Sequence, residues 1–275
     1  MERFDSVPVI RHLDDVDDLR QFGRDGILLE NQESEAKKYA DELVDALHTE
    51  NKQALLLLCS TRKRGVQTGE IISDEIKKRD SKIKVAIVQN ESLANMYEGV
   101  VNLPDDYQAG DKFPGFVIGK KVFFDEVFGE NQNLLYRFGD PVDLGDGNYK
   151  YPELKGQFSE YGESHRDFMV RLLNLVMDTA HNIERLHKKV KIVAITHSLQ
   201  YQMFYDLQSI AEDIVKRGVE VDIGKVHMLC WEKYQERMLQ GPPTYDVRHI
   251  DISNLCDPKI IEVLEKEIEY LSNLK

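Results

Sequence analysis

The sequence predicts an α/β fold: a three-layer α/β/α arrangement around a doubly wound, mostly parallel sheet. Two observations predict it. Four short apolar runs read as strands buried on both faces, and segments of helical period lie between them. A third observation marks where the pattern stops: residues 100–158 are rich in Gly, Pro, Asp and aromatic residues and have no such alternation.

The first run is Val7–Ile10. The segment Glu33–His48 then places Ala36, Tyr39, Ala40, Leu43, Val44 and Leu47 on one helical face. Ala54–Cys59 is the longest apolar stretch, the length of a buried strand and too short to cross a bilayer. Thr61–Arg79 repeats Val66, Ile71, Ile72 and Ile76 at helical spacing, and Val85–Val88 is the third strand. Residues 100–158 read as a long insertion with hairpins, Lys120–Phe124 being one strand. Insertions at the carboxyl ends of strands often cover the site and select the substrate, the alternative being a peripheral excursion with no role. Phe168–Leu186 carries Phe168, Leu172, Leu175, Val176 and Ile183, and Ile192–Ile195 is the fourth strand. The last helix has Asp257 as N-cap and Pro258 in its first turn, followed by Ile261, Leu264, Ile268 and Leu271. With no fixed-period repeat and no Gly/Ser- or Pro-rich linker, residues 1–275 read as one domain.

Composition narrows the function. The chain is 41% hydrophobic and 31% charged, with a net charge of −13. So acidic a surface disfavours nonspecific binding to nucleic acid or to an anionic membrane, and favours a small substrate. The first residues, MERFDSVPVIRH, contain no apolar core of a signal peptide. Cys59, Cys230 and Cys256 are few, odd in number and widely spaced, as expected in a reducing, cytoplasmic setting, and none has zinc-finger spacing.

In an open α/β sheet, ligands sit beyond the carboxyl ends of the strands. The four runs end in Arg11-His12, in Ser60-Thr61-Arg62-Lys63-Arg64, in Gln89-Asn90-Glu91 and in Thr196-His197-Ser198. Arginines, two histidines and a carboxylate converging on one crevice suit a phosphate: cations for the oxygens, an imidazole to attack phosphorus and an acid for the leaving group.

Three segments resemble the motifs of the histidine phosphatase superfamily, the phosphoglycerate mutase-like enzymes. That family opens with a strand and Arg-His-Gly; here the residues are Val9-Ile10-Arg11-His12-Leu13. Its second motif, Ser-x-x-x-Arg-(small)-x-Gln-Thr-(small), is matched by Ser60, Arg64, Gly65, Gln67, Thr68 and Gly69. Its last, a strand into Thr/Ala-His-Gly, is matched by Thr196-His197-Ser198, with Gly162-Glu163-Ser164, Asp167 and Arg171 upstream. The family's acid follows the third strand; Glu91 fits that spacing, with Asn95 and Gly99 at the two glycine positions, and a second register would use Glu98.

The resemblance implies a phosphatase that hydrolyses a phosphate monoester through a phosphohistidine on His12. Arg11, Arg64 and His197 would hold the phosphoryl oxygens, and Glu91 would act as acid and base. Arg62 reads as solvent-exposed. The scheme implies a small phosphorylated substrate and needs neither metal nor organic cofactor. Two departures bear on it: Leu13 replaces the Gly after the nucleophile, and Asp14, Asp15, Asp17 and Asp18 put negative charge nearby. They leave a catalytically weak or inactive relative, binding a phosphorylated ligand or a protein, as the alternative. A mutase is disfavoured because Glu91-Ser92-Leu93-Ala94-Asn95 lacks the Arg and Tyr of phosphoglycerate mutases. Trp231 reads as a core residue in a segment where His227 and Tyr234 could add a pocket wall.

Overall fold

The computed structural model describes residues 7–13, 15–16, 27–28, 33–108, 111–128, 133–186, 189–239, 248–250 and 252–275. Its frame is a five-stranded sheet of β1 (Val7–Arg11), β4 (Ala54–Ser60), β5 (Lys84–Asn90), β10 (Val190–Thr196) and β11 (Arg248–Ile250), in the order β11-β1-β10-β4-β5. The first four strands run parallel; β11 pairs antiparallel with β1 and closes that edge. The expected strands are therefore present, each extended by one to three residues.

Alternation along the strands sends successive side chains to opposite faces, and both faces are covered. On one, Ile10, Leu55, Leu57, Cys59, Val193 and Ile195 pack against helices α1 (Glu33–Thr49) and α2 (Lys63–Arg79). On the other, Val9 and Ala194 meet a larger core built by α4 (His165–Leu186), α5 (Ser198–Arg217), α6 (Val226–Leu239) and α8 (Pro258–Asn273). Helix α8 starts as the sequence predicts: the Asp257 carboxylate accepts a hydrogen bond from Lys259 N at 2.9 Å. It is held to α6 by the wholly buried Glu267, which accepts from His227 Nδ1 at 2.6 Å and from His227 N at 3.1 Å. The short α7 (Ile252–Leu255) lies between β11 and α8.

The insertion corrects one expectation. Lys120–Phe124 is not a strand; it lies within α3 (Pro114–Phe128). Its aromatic and β-branched run resembles a strand, but the buried positions Gly115, Gly119, Val122, Phe123 and Val127 recur at helical spacing. Two of those five are glycines, which carry no hydrophobicity to reveal the face. Gly119 is needed there: a Cβ would stand 2.9 Å from the Phe158 ring. The expected hairpin character is real elsewhere. β7 (Asp143–Gly145) turns into β8 (Asn148–Tyr149) through Asp146 and Gly147, both at positive φ. The excursion begins at β6 (Val100–Val101) and ends at β9 (Phe158–Glu160), which pair antiparallel. Phe123, Tyr136, Phe138 and Phe158 belong to the larger core, so the insertion is not peripheral.

Among the described residues no helix is long and apolar enough to cross a membrane. Cys59 and Cys230 are buried, and Cys256 is half-buried with its Sγ 3.5 Å from the Ala180 carbonyl oxygen.

Candidate active site

Parallel pairing brings the carboxyl ends of β1, β4 and β10 level, with Arg11 opposite Thr196 and Cys59 opposite Ile195. The residues that follow these strands meet at a cavity of about 210 Å³, which Arg11, His12, Arg64 and His197 all line.

His12 is 5% exposed and held at two points. Its backbone N–H donates to the Thr196 carbonyl at 2.9 Å, extending the β1·β10 ladder by one bond. Its Nδ1 lies 2.6 Å from the Leu13 carbonyl oxygen. A carbonyl only accepts, so this contact assigns the proton to Nδ1 and makes Nε2 the basic nitrogen of the neutral ring. Leu13, the departure from glycine, causes no crowding: its side chain is buried among α1 and α2 residues and does not line the cavity. Its backbone N–H donates to Thr68 Oγ1 at 3.1 Å, and Thr68 Oγ1 donates to the Arg64 carbonyl at 2.7 Å. The nucleophile loop and the first turn of α2 are thereby tied together. The side chains of Asp14, Asp15, Asp17 and Asp18 lie outside the described residues.

His197 precedes α5, and both its ring nitrogens are engaged. Arg64 Nε donates to Nδ1 at 3.3 Å, so Nε2 carries the proton and donates to Ser60 Oγ at 2.8 Å. Ser60 Oγ also accepts from Arg62 N at 3.2 Å. Burial holds the His197 imidazole well below the usual histidine range, and the neighbouring His12, Arg64, Arg62 and Arg11 push the same way. The ring is therefore neutral near pH 7 and fixes the Arg64 guanidinium at the cavity wall, at the start of a helix whose free N–H groups favour an anion. Arg62 does not line the cavity, but it is half-buried rather than solvent-exposed.

The two carboxylates separate. Glu98 lines the cavity, with Lys120 Nζ 3.3 Å from one oxygen. Glu91, which the spacing favours, opens a 3-10 turn (Glu91–Leu93), does not line the cavity, and accepts a hydrogen bond from Thr61 Oγ1 at 2.6 Å. Gly99, at φ +77°, bends the chain just after Glu98; a Cβ there would meet the Glu160 carbonyl oxygen at 2.2 Å. Asn95 also lines the cavity but has no positive φ, so its substitution for glycine costs nothing in backbone strain.

The upstream Gly162-Glu163-Ser164 motif supports this loop from behind. Arg171 makes a bidentate pair with Glu163, at 2.9 and 2.7 Å, and its Nη1 donates to the carbonyls of Glu91, Ser92 and Ala94. Its distance from the cavity makes it a positioning residue for the segment carrying both carboxylates.

Phe123 and Phe124 of α3, Phe138, Met96 and Leu199, which the sequence does not single out for the site, also line the cavity, together with Tyr234 of α6. Tyr234 does form pocket wall, whereas Trp231 is 1% exposed and belongs to the core. No group of three or more His, Cys, Asp or Glu residues among the described residues is placed to hold a metal ion.

No protein-family model and no curated protein matches the sequence. Solved structures do align. A mycobacterial glucosyl-3-phosphoglycerate phosphatase aligns at 13% identity over 82% of this chain and 84% of its own, with a TM-score of 0.38. A mycobacterial hydrolase aligns at 14% identity over 82% and 77%, with a TM-score of 0.40. The chain itself is a mixed α/β protein, a central parallel sheet flanked by helices, and the reading of its site rests on the residues and distances above.

Proposed function

We propose that this protein is a phosphatase that hydrolyses phosphate monoesters through a phosphohistidine on His12. The observation that carries the reading is the 2.6 Å contact between His12 Nδ1 and the Leu13 carbonyl, which makes Nε2 the basic ring nitrogen of a histidine that lines one cavity with Arg11 and Arg64. Nε2 attacks phosphorus, the ester P–O bond breaks, and a carboxylic acid protonates the departing oxygen. Water then attacks the phosphohistidine, the carboxylate takes its proton, and the N–P bond breaks to release phosphate. Arg11 and Arg64 hold the oxygens over which charge spreads during each transfer, and the neutral His197 keeps Arg64 in place. The proton donor is assigned to Glu98, because it lines the cavity; Glu91, favoured by spacing, is the alternative.

The test is phosphate release from a panel of monoesters, with acid quenching to trap labelled enzyme. His12→Ala abolishes both turnover and label. Glu98→Gln slows release from esters with poor leaving groups by about 10²–10⁴-fold and Glu91→Gln by far less; the reverse order moves the acid to Glu91. Turnover surviving in His12→Ala refutes the mechanism. A wild-type protein silent on the whole panel, yet raised in melting temperature by vanadate, is a phosphate-binding relative without the chemistry.

A further inference from the structure

The cavity lining joins two chemistries: Arg11, Arg64 and the two histidines, and the rings of Phe123, Phe124, Phe138 and Tyr234. Phe124 lines the cavity and is 37% exposed, so part of its ring surface is available to a ligand. It stands edge-on to Phe123, with ring centroids 5.7 Å apart and planes at 77°, while Phe123 packs on Phe138 at 5.6 Å. Tyr234 faces the same space from α6. These rings come from two separate parts of the chain, the insertion and α6.

The volume fits one ring. A cavity of roughly 150 Å³ lined by apolar side chains accepts benzene, and this one holds about 210 Å³ with its cationic wall included. Charge argues against a second phosphate. The carboxylate of Glu98 lies on the cavity wall, with Lys120 already paired to it, and no further Lys or Arg is among the described lining residues besides Arg11 and Arg64. The aromatic side chains of the lining suit a planar ring better than a polyhydroxylated chain.

We propose that the substrates are aryl phosphates, monoesters of a phenol, whose ring meets the aromatic lining that includes Phe124 and Tyr234 while its phosphate meets His12. This assignment rests on the phosphatase reading and names the substrate class of the same site. The phenolic oxygen is the leaving atom: it takes the ester electron pair and one proton, and the ring departs as a phenol.

Two non-hydrolysable probes test it without requiring turnover. Phenylphosphonate and methylphosphonate carry the same anionic head, and their dissociation constants are measured by calorimetry on the whole chain. Phenylphosphonate binds at least about tenfold more tightly, the effect of covering one ring. Phe124→Ala, at an exposed site that leaves the core intact, cuts that advantage at least about threefold while methylphosphonate affinity is unchanged. Equal affinities in the wild type, or an advantage untouched by Phe124→Ala, overturn the aryl assignment alone. Failure of both probes to bind overturns the phosphate seat, and the phosphatase reading with it. Free phosphotyrosine and a phosphotyrosyl hexapeptide, run as competitors, separate a small phenolic ester from a protein-borne one: the tighter competitor names the source.

Discussion

The imidazole rings of His12 and His197 stand 4.9 Å apart between centroids, tilted by 56°. Two bases this close suppress each other's protonation, and the depressed affinity of His197 for a proton owes its largest share to burial and its next to His12. In His12→Ala the His197 imidazole is therefore expected to titrate at higher pH than in the wild type, yet still below the usual histidine range. Proton-detected NMR of labelled histidine reads both points. An unchanged midpoint means the rings are not coupled.

Arg171 brackets the loop that carries Glu91 and Glu98. The pair is mostly buried, with Arg171 19% and Glu163 13% exposed at the side chain, so removing one partner leaves the other uncompensated. Arg171→Ala is expected to cost about 2–4 kcal/mol and to lower kcat more than it raises KM. Arg171→Lys keeps the charge but loses the fork, and recovers only part of each effect. Denaturant melts and steady-state kinetics on the two variants decide it; full rescue by lysine would show that charge alone suffices.

Gly69 of the second motif is set by packing. A Cβ at this position would lie 2.5 Å from Cys59 Sγ, and Cys59 is wholly buried under α2. Gly69→Ala is expected to destabilise by about 1–3 kcal/mol. Adding Gly69→Ala to Cys59→Ala, which removes the sulfur, should cost well under half as much. Additive losses across this double-mutant cycle would place the strain elsewhere.

His165 sets an acid limit. It is wholly buried against Trp231, with centroids 4.6 Å apart, and neither ring nitrogen has a hydrogen-bond partner among the described residues. Burial, with a smaller effect from His227, holds its proton affinity well below the ordinary histidine range. The unfolded chain binds a proton at this residue near pH 6.5 and the folded chain does not. Stability is therefore fully present above that pH and is lost as pH falls, by up to about 1.4 kcal/mol per pH unit. His197 adds in the same direction. His165→Phe, which keeps an aromatic ring in the slot, should flatten the fall in melting temperature between pH 6.5 and 5 without lowering it at pH 7.5. An equally steep fall would assign the acid sensitivity to other groups.

The central sheet could be read from residues because strands buried on both faces have nothing to alternate with, so Ala54–Cys59 and Ile192–Ile195 stand out as unbroken apolar runs. Helix α3 could not: Gly115 and Gly119 empty its buried face of signal. The same division runs through the site. Arg11, His12, Arg64 and His197 follow from one rule, that parallel strands end together. Phe124, Phe138 and Tyr234 reach the cavity through the path of the insertion and the docking of α6, which no local period encodes. Choosing between Glu91 and Glu98 depends on a 3-10 turn at Glu91 and a reversal at Gly99, features of backbone direction that equal motif spacing cannot resolve.

Strand β1 sits between β10 and β11, and both come from the distant C-terminal part of the chain. The order of synthesis is thus the reverse of the order of completion. β4 and β5 can pair early, with the short connection through α2 between them, whereas the strand bearing His12 waits for a partner that emerges late. A nascent chain ending before Val190 already contains the His12 and Arg64 segments, but it lacks the Thr196 carbonyl that pins the nucleophile's backbone. The reactive imidazole therefore lacks its backbone anchor until β10 has been made.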